Sequence, residues 1–336
     1  MPTLQGLPQE ILEMIFLQSM NISLPRASPD LGRKLSHKVI CMKIVMRTFF
    51  EESDDPLASS QAQADLLRCK FFTWSFFLDY VNTAHSAVLK KRHKAWASTG
   101  IVVPGVSYFT PLWPFKFTQL RYLGFAEPLL IPEKLLHGPW TNDKASLLYV
   151  LVAFSGEIDC QGSLDGETAS EGLREAIKQG NELAVAALSV LLGIGRMLTT
   201  DLIRFAVMQC GCNINIVRHL LYNAQILHSL DAENKESLDF HDPALWRWIE
   251  QAEEEDDPKG SVVKMMLKEA DRFALNFYLE GESDWADIVP FPYSGAKFDT
   301  RGSFDNLKKE LLTRVYQSNG RRIVSPRRVR LPEGDL

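Results

Sequence analysis

A chain of 336 residues, 46% hydrophobic and 24% charged, is long enough to bury a sizeable core, and its balance excludes the disordered class. Its formal charge of −5 gives no overall attraction for nucleic acid or anionic membrane, so either would need a local basic patch. The five cysteines, Cys41, Cys69, Cys160, Cys210 and Cys212, are sparse and odd in number, the usage of a reducing compartment and not of a disulfide framework. No basic region opens the chain as in a signal peptide, and Glu10 and Glu13 interrupt the first apolar residues. The longest uncharged apolar run, Leu183 to Gly195, is shorter than the roughly 20 residues a hydrocarbon core requires. The expectation is a soluble protein of two or three domains in the cytosol or nucleus.

Three short helices are predicted in the first fifty residues. Pro8, with its fixed φ and no N–H to donate, suits a first helical turn, and Ile11, Leu12, Ile15, Phe16 and Ser19 recur behind it at helical spacing. Pro25 and Pro29 break the chain. Ser28 is placed to cap a second helix from Pro29 to Leu35. Ser36 is the expected cap of a third, whose apolar side is marked by Val39, Ile40, Ile44, Val45 and Phe49. A unit this small buries little by itself and needs a neighbour.

Residues Leu7, Pro8, Glu10, Ile11 and Ile15 with the Leu24-Pro25 turn make this stretch resemble the F-box, in a variant similar to that of filamentous fungi. F-box modules dock substrate adaptors on the Skp-type linker of a cullin-based ubiquitin ligase. The resemblance implies a docking face of Leu7, Pro8, Ile11, Leu12, Ile15, Phe16, Leu24 and Pro25, and a Skp-type linker as partner. The chain departs from the common pattern after the second helix, where Arg33-Lys34-Leu35 stands in place of a Cys/Arg-x-x-Trp segment.

Residues 51–130 read as a linker, an aromatic helix and a connector. Glu51 to Pro56 is charged and proline-stopped. Helical character resumes near Ser60, and Leu66, Leu67, Phe71, Trp74, Phe77, Leu78 and Val81 share one broad side of a helix that Phe72, Phe76 and Tyr80 make apolar nearly all round. Its expected role is core packing. The basic run Lys90 to Lys94 reads as a solvated helix end, with an import or phosphate-contacting patch as the alternative. Between Val103 and Pro132, prolines at high density exclude long helices. The aromatics there mean either a connector packed on helices or a recognition loop.

Residues 131–280 show a weak internal repeat of paired short helices. A short helix ends near Trp140 and Lys144 to Phe154 is another. Ala176 and Gly180 precede the apolar helix Ala184 to Leu192, and Ala206 and Gly211 precede Ile216 to Ala224. These pairs, with Ala inside and Gly at the bend, resemble degenerate ankyrin repeats, Ile216-Val-x-x-Leu-Leu-x-x-Ala224 most closely. The Thr-Pro-Leu-His opening is missing, Cys210 makes the second bend one residue late, and the Ala176–Ala206 spacing falls short of a period of about 33. A non-repetitive helical bundle is the alternative. Asp242-Pro243 starts a further capped helix that runs into the acidic cluster Glu253–Asp257, and Ser261 to Leu279 is the last long helix. Residues 281–336 read as irregular, with a short helix at Asp305 to Tyr316 and a basic tail around Ser325-Pro326.

No catalytic residue nominates itself. The chain has no Gly-x-Ser-x-Gly elbow, no His-Glu-x-x-His helix and no phosphate-binding Gly-x-x-x-x-Gly-Lys loop. Cys210-x-Cys212 with His219 and His228 is the one cluster with a metal-ligand look, yet a second close pair is missing, so buried thiols are expected and neither metal nor cofactor. The reading is therefore an all-α, non-enzymatic adaptor. The F-box-like helices would dock on the linker and the C-terminal helices would hold a protein target, with no nucleic acid and no membrane involved. Each buried ridge side chain would contribute about 1.5–3 kcal/mol before association costs, across an interface of about 1,600 Å². A helical-repeat scaffold with a vestigial F-box and an enzyme with an unfamiliar site are the alternatives.

Overall fold

The computed structural model describes residues 4–50, 56–98, 123–126, 129–153, 156–157, 164–194, 198–229 and 239–280. The predicted tail, most of the predicted connector and the acidic linker lie outside them. Twelve α-helices account for most of the described residues, and strand is confined to two-residue segments. The protein is all-α. It divides into two compact units, Met1–Pro132 and Glu133–Leu336.

The first unit opens with α1 (Gln9–Ser19), α2 (Pro29–Leu35) and α3 (Lys38–Val45). Pro8 precedes α1, and Met20 ends it in the left-handed conformation, φ 50°. Ser28 caps α2, its Oγ accepting from the Leu31 N–H at 3.2 Å. Ser36 does not cap α3. Its N–H closes α2 on the Gly32 carbonyl instead, and His37 stands at the start of α3 without a side-chain cap.

A π-turn, Met46–Phe50, prolongs α3 and delivers Phe49 to an aromatic core. There Phe49 meets Phe72, Tyr80 and Phe125 at 5.9, 5.7 and 4.9 Å between ring centroids. The predicted single aromatic helix is two: α4 (Pro56–Arg68) and α5 (Trp74–Ser98). Thr73 accounts for the restart, because its Oγ1 accepts from the Phe76 N–H at 3.4 Å. The break turns Phe72 inward beside Phe76 and Phe77, all three buried. Buried Gln63 of α4 then holds the returning chain, donating to the Gly124 carbonyl and accepting from the Ala126 N–H, both at 2.8 Å.

The second unit begins with a single 3₁₀ turn, Glu133–Leu135, where a short helix was expected, and α6 (Asn142–Ala153). Three helix pairs follow: α7 (Leu164–Lys178) with α8 (Glu182–Ile194), α9 (Thr200–Arg204) with α10 (Ile214–Ser229), and α11 (Pro243–Glu254) with α12 (Pro258–Glu280). Helices α6, α8, α10 and α12 are successive neighbours in one row, and α7 and α11 pack on the row beside their own partners.

The three turns repeat one device. The N–H groups of Asn181, Cys212 and Asp257 reach back to the carbonyls of Ala176, Ala206 and Ala252 at 3.0, 3.2 and 2.8 Å. These alanines are all buried, where a small side chain lets helices approach. A positive-φ residue makes each bend: Gly180 (66°), Gly211 (73°) and Asp256 (55°). Asn181, Asn213 and Asp257 then accept hydrogen bonds from the first turn of the second helix. The middle bend comes one residue late because a π-turn, Phe205–Gln209, takes up the extra residue.

Close backbone contact sets the position of the segment before α6. A Cβ at Gly172 would lie 1.8 Å from the Leu136 carbonyl oxygen, whereas one at Gly180 would meet nothing within 4 Å. Trp140 Nε1 donates to the Gly172 carbonyl at 3.0 Å in the same contact. In urea unfolding, Gly172→Ala is expected to lose at least about 2–3 kcal/mol through forced backbone displacement. Gly180→Ala meets only its left-handed φ and is expected to lose about 1–2 kcal/mol. Equal costs would contradict this packing.

Candidate protein-docking surface

The eight residues of the expected docking face do not form one surface. Leu12 and Phe16, four apart on α1, are 0% and 4% exposed and belong to the interior of their unit. Leu7, Ile15, Leu24 and Pro25 are half-buried, and Pro8 and Ile11 stand exposed. The outward ridge of α1 is thus Pro8, Ile11 and Met14, flanked by Leu7 and Ile15. Met14, 47% exposed and one turn beyond Ile11, extends the outward edge of α1, on the side away from Leu12 and Phe16 that the predicted stripe follows.

Val39 also departs from expectation. It was placed on the apolar side of α3, but it is 55% exposed, while Ile40, Cys41, Ile44 and Val45 take the interior. The signal was present: Val39, Met42 and Met46 recur at helical spacing as a second stripe beside the buried one. Of the six large hydrophobic side chains exposed among the described residues, four (Leu4, Ile11, Met14 and Val39) lie in the first three helices or just before them. That concentration makes this module the place to look for a partner.

Polar ties hold the outward face in place. Lys34 of α2 donates to the Gln5 and Leu7 carbonyls at 3.0 and 3.3 Å, which fixes the chain leading into Pro8. Arg47 donates to the Leu17 carbonyl at 2.7 Å near the C-terminal end of α1, where a cation also suits the helix dipole. Pro25 sits close on α2, since a Cβ at Gly32 would lie 2.9 Å from its carbonyl oxygen.

Cys212 is buried in the second bend at φ 50°, and burial pushes its thiol up to about 11. Burial, with Cys69 nearby, does the same to Cys41. Such thiols are poor nucleophiles. Among the described residues no group of three or more His, Cys, Asp or Glu side chains is arranged to hold a metal ion. Arg204 of α9 grips Asp242 with two hydrogen bonds, 3.0 and 2.6 Å, and Asp242 also caps α11 through the Leu245 N–H. The guanidinium holds that carboxyl below the usual range.

No protein-family model, no curated protein and no solved structure matches the chain. No helix among the described residues is long and apolar enough to cross a membrane. Fold and surface together define an all-α protein in which, among the described residues, four of the six exposed large apolar side chains lie on or just before the N-terminal helices.

His219 of α10 is 1% exposed with its Nε2 unpartnered, and burial, aided by the Arg218 charge, pushes its pKa down to about 3. In the unfolded chain an imidazole takes up its proton near pH 6.5. Below that pH the unfolded state binds the extra proton, so stability is full above 6.5 and falls as the pH drops towards the folded value. The slope for this one group approaches about 1.4 kcal/mol per pH unit once the pH is a unit or more below 6.5. Urea unfolding between pH 7 and 4.5 measures it. His219→Leu should flatten the dependence by that amount, and an unchanged slope would contradict a neutral buried imidazole.

Proposed function

We propose that this chain is a substrate-recognition adaptor of a cullin-based ubiquitin ligase, with its N-terminal helices as an F-box that docks on a Skp-type linker. The helix pairs of the second unit, as ankyrin-like repeats, hold a protein target. Ubiquitin transfer belongs to the partner enzymes, and this chain positions the substrate. The observation that carries the reading is the proline-led ridge of α1, where Pro8, Ile11 and Met14 stay outward although Leu12 and Phe16 give the helix a buried anchor. A helix with only its own unit to serve has no need of a second apolar side. Support for the repeat reading comes from the recurring alanine, positive-φ bend and side-chain cap of the three pairs.

One observation favours a second reading, a helical-repeat scaffold whose F-box no longer docks. Lys34 and Leu35, in the segment that departs from the F-box pattern, are both engaged inside the unit: Lys34 holds the Gln5 and Leu7 carbonyls and Leu35 is buried. A pulldown of purified Skp-type linker by wild type and by the Pro8→Ala/Ile11→Asp double variant separates the two. The adaptor reading expects wild type to retain the linker and the double variant to bind at least about tenfold more weakly. Both positions are exposed, so the double variant should still melt cooperatively, lowered only by the loss of proline's fixed φ. Equal recovery of both, or of neither, rejects the adaptor.

A further inference from the structure

The outer face of α3 forms the floor of an open groove of about 710 Å³, walled by the end of α1 and by α5. Its apolar floor is Leu17, Val39, Met42 and Met46. The last three recur along one stripe of α3, turned away from the stripe of Ile40 and Ile44 that enters the interior. Methionines adapt their shape to whatever is laid on them, which suits a bound helix better than a fixed small molecule.

The far wall is polar but already satisfied. Asn82 and Thr83 of α5 donate back to the Leu78 and Asp79 carbonyls of their own helix at 3.0 and 2.8 Å. Groups engaged in this way lose little when water is displaced from them. The rim reverses the sign of the protein. Lys38, Lys43 and Arg47 line the groove with Asp79, and Glu13 stands beside Lys43, so three cations face two carboxylates on a chain whose formal charge is −5.

Existing ties leave this rim cationic. Lys38 pairs with Asp79, Lys43 reaches Glu13 only at 3.8 Å, and Arg47 spends one hydrogen bond on the Leu17 carbonyl. A concave apolar floor beside cations is complementary to an apolar stripe flanked by carboxylates, and its concavity sets it apart from a site for a flat lipid surface.

We propose that this groove receives a short, acidic amphipathic helix of a partner protein. The proposal does not rest on the F-box reading. Leu17 lines the groove and Glu13 stands beside it, whereas Ile11 and Ile15, each two residues back, lie about 200° round α1.

The test uses the full chain and fluorescein-labelled peptides of about 14 residues, long enough to span the α3 face. One peptide carries Leu at helical spacing with Glu beside it. The second has Lys for Glu, and the third is a scramble of the first. Fluorescence anisotropy is expected to show binding of the Glu peptide alone, weakening as salt is raised. Lys43→Glu, at an exposed position with a long contact to Glu13, should weaken binding at least about tenfold, as should Met42→Asp, with thermal melts of both variants checking that they fold. Ile11→Asp should leave it unchanged, so loss of linker docking and loss of peptide binding are distinguishable. No binding of the Glu peptide, equal binding of the scramble or Lys peptide, or indifference to Lys43→Glu would overturn the proposal. Sedimentation showing that the chain self-associates through this face, abolished by Met42→Asp, would assign the groove to a second copy and overturn it equally.

Discussion

Leu12 and Phe16 decide what the N-terminal helix can offer to anything else. A helix of three turns has room for one buried stripe, and these two side chains, one turn apart, take it. Their burial contributes about 1.5–3 kcal/mol each and fixes the rotation of α1 about its axis. Once that rotation is set, Pro8, Ile11 and Met14 have nowhere to point but outward. The same logic governs α3, where Ile40, Ile44 and Val45 claim the interior and leave Val39, Met42 and Met46 to the surface. Two helices with more apolar residues than their unit can cover produce the surplus that forms both the exposed ridge of α1 and the floor of the groove.

The second unit shows the opposite economy. Its helix pairs are joined by bends that reuse one hydrogen-bond pattern, and each second helix lies against the next. Neighbours in the row cover one another, and Arg204 with Asp242 ties α9 to the start of α11. The π-turn at Phe205–Gln209 shows how firmly the bend is held. An extra residue before Gly211 is absorbed inside the helix, so that the Cys212 N–H still finds the Ala206 carbonyl.

Much of the fold was legible in the sequence because it is written in local chemistry. Ser28 and Asp242 cap where side-chain oxygens precede a Pro-led first turn, and the alanine-to-glycine spacing marks the first two helix pairs. The third pair escaped notice because Asp256 occupies the left-handed position that glycine holds in the others. The join between α4 and α5 was missed for a different reason. The run from Leu66 to Val81 is apolar on nearly every side, so periodicity could not show where one helix stops. Thr73 was the only mark of a restart. The candidate surface was half legible: the apolar residues of α1 stand out in the sequence, but its buried and exposed members read as one stripe.

From its residues alone this chain determines its class. Helical periodicity, proline placement and capping side chains act over a few residues and make it all-α, with short helices at both the start and the repeat-like stretch. Tertiary structure decided which side of each helix is hidden. An amphipathic pattern gives the width of an apolar face, but only the neighbours of that face settle how much of it is covered, and on α1 and α3 they cover less than the pattern supplies.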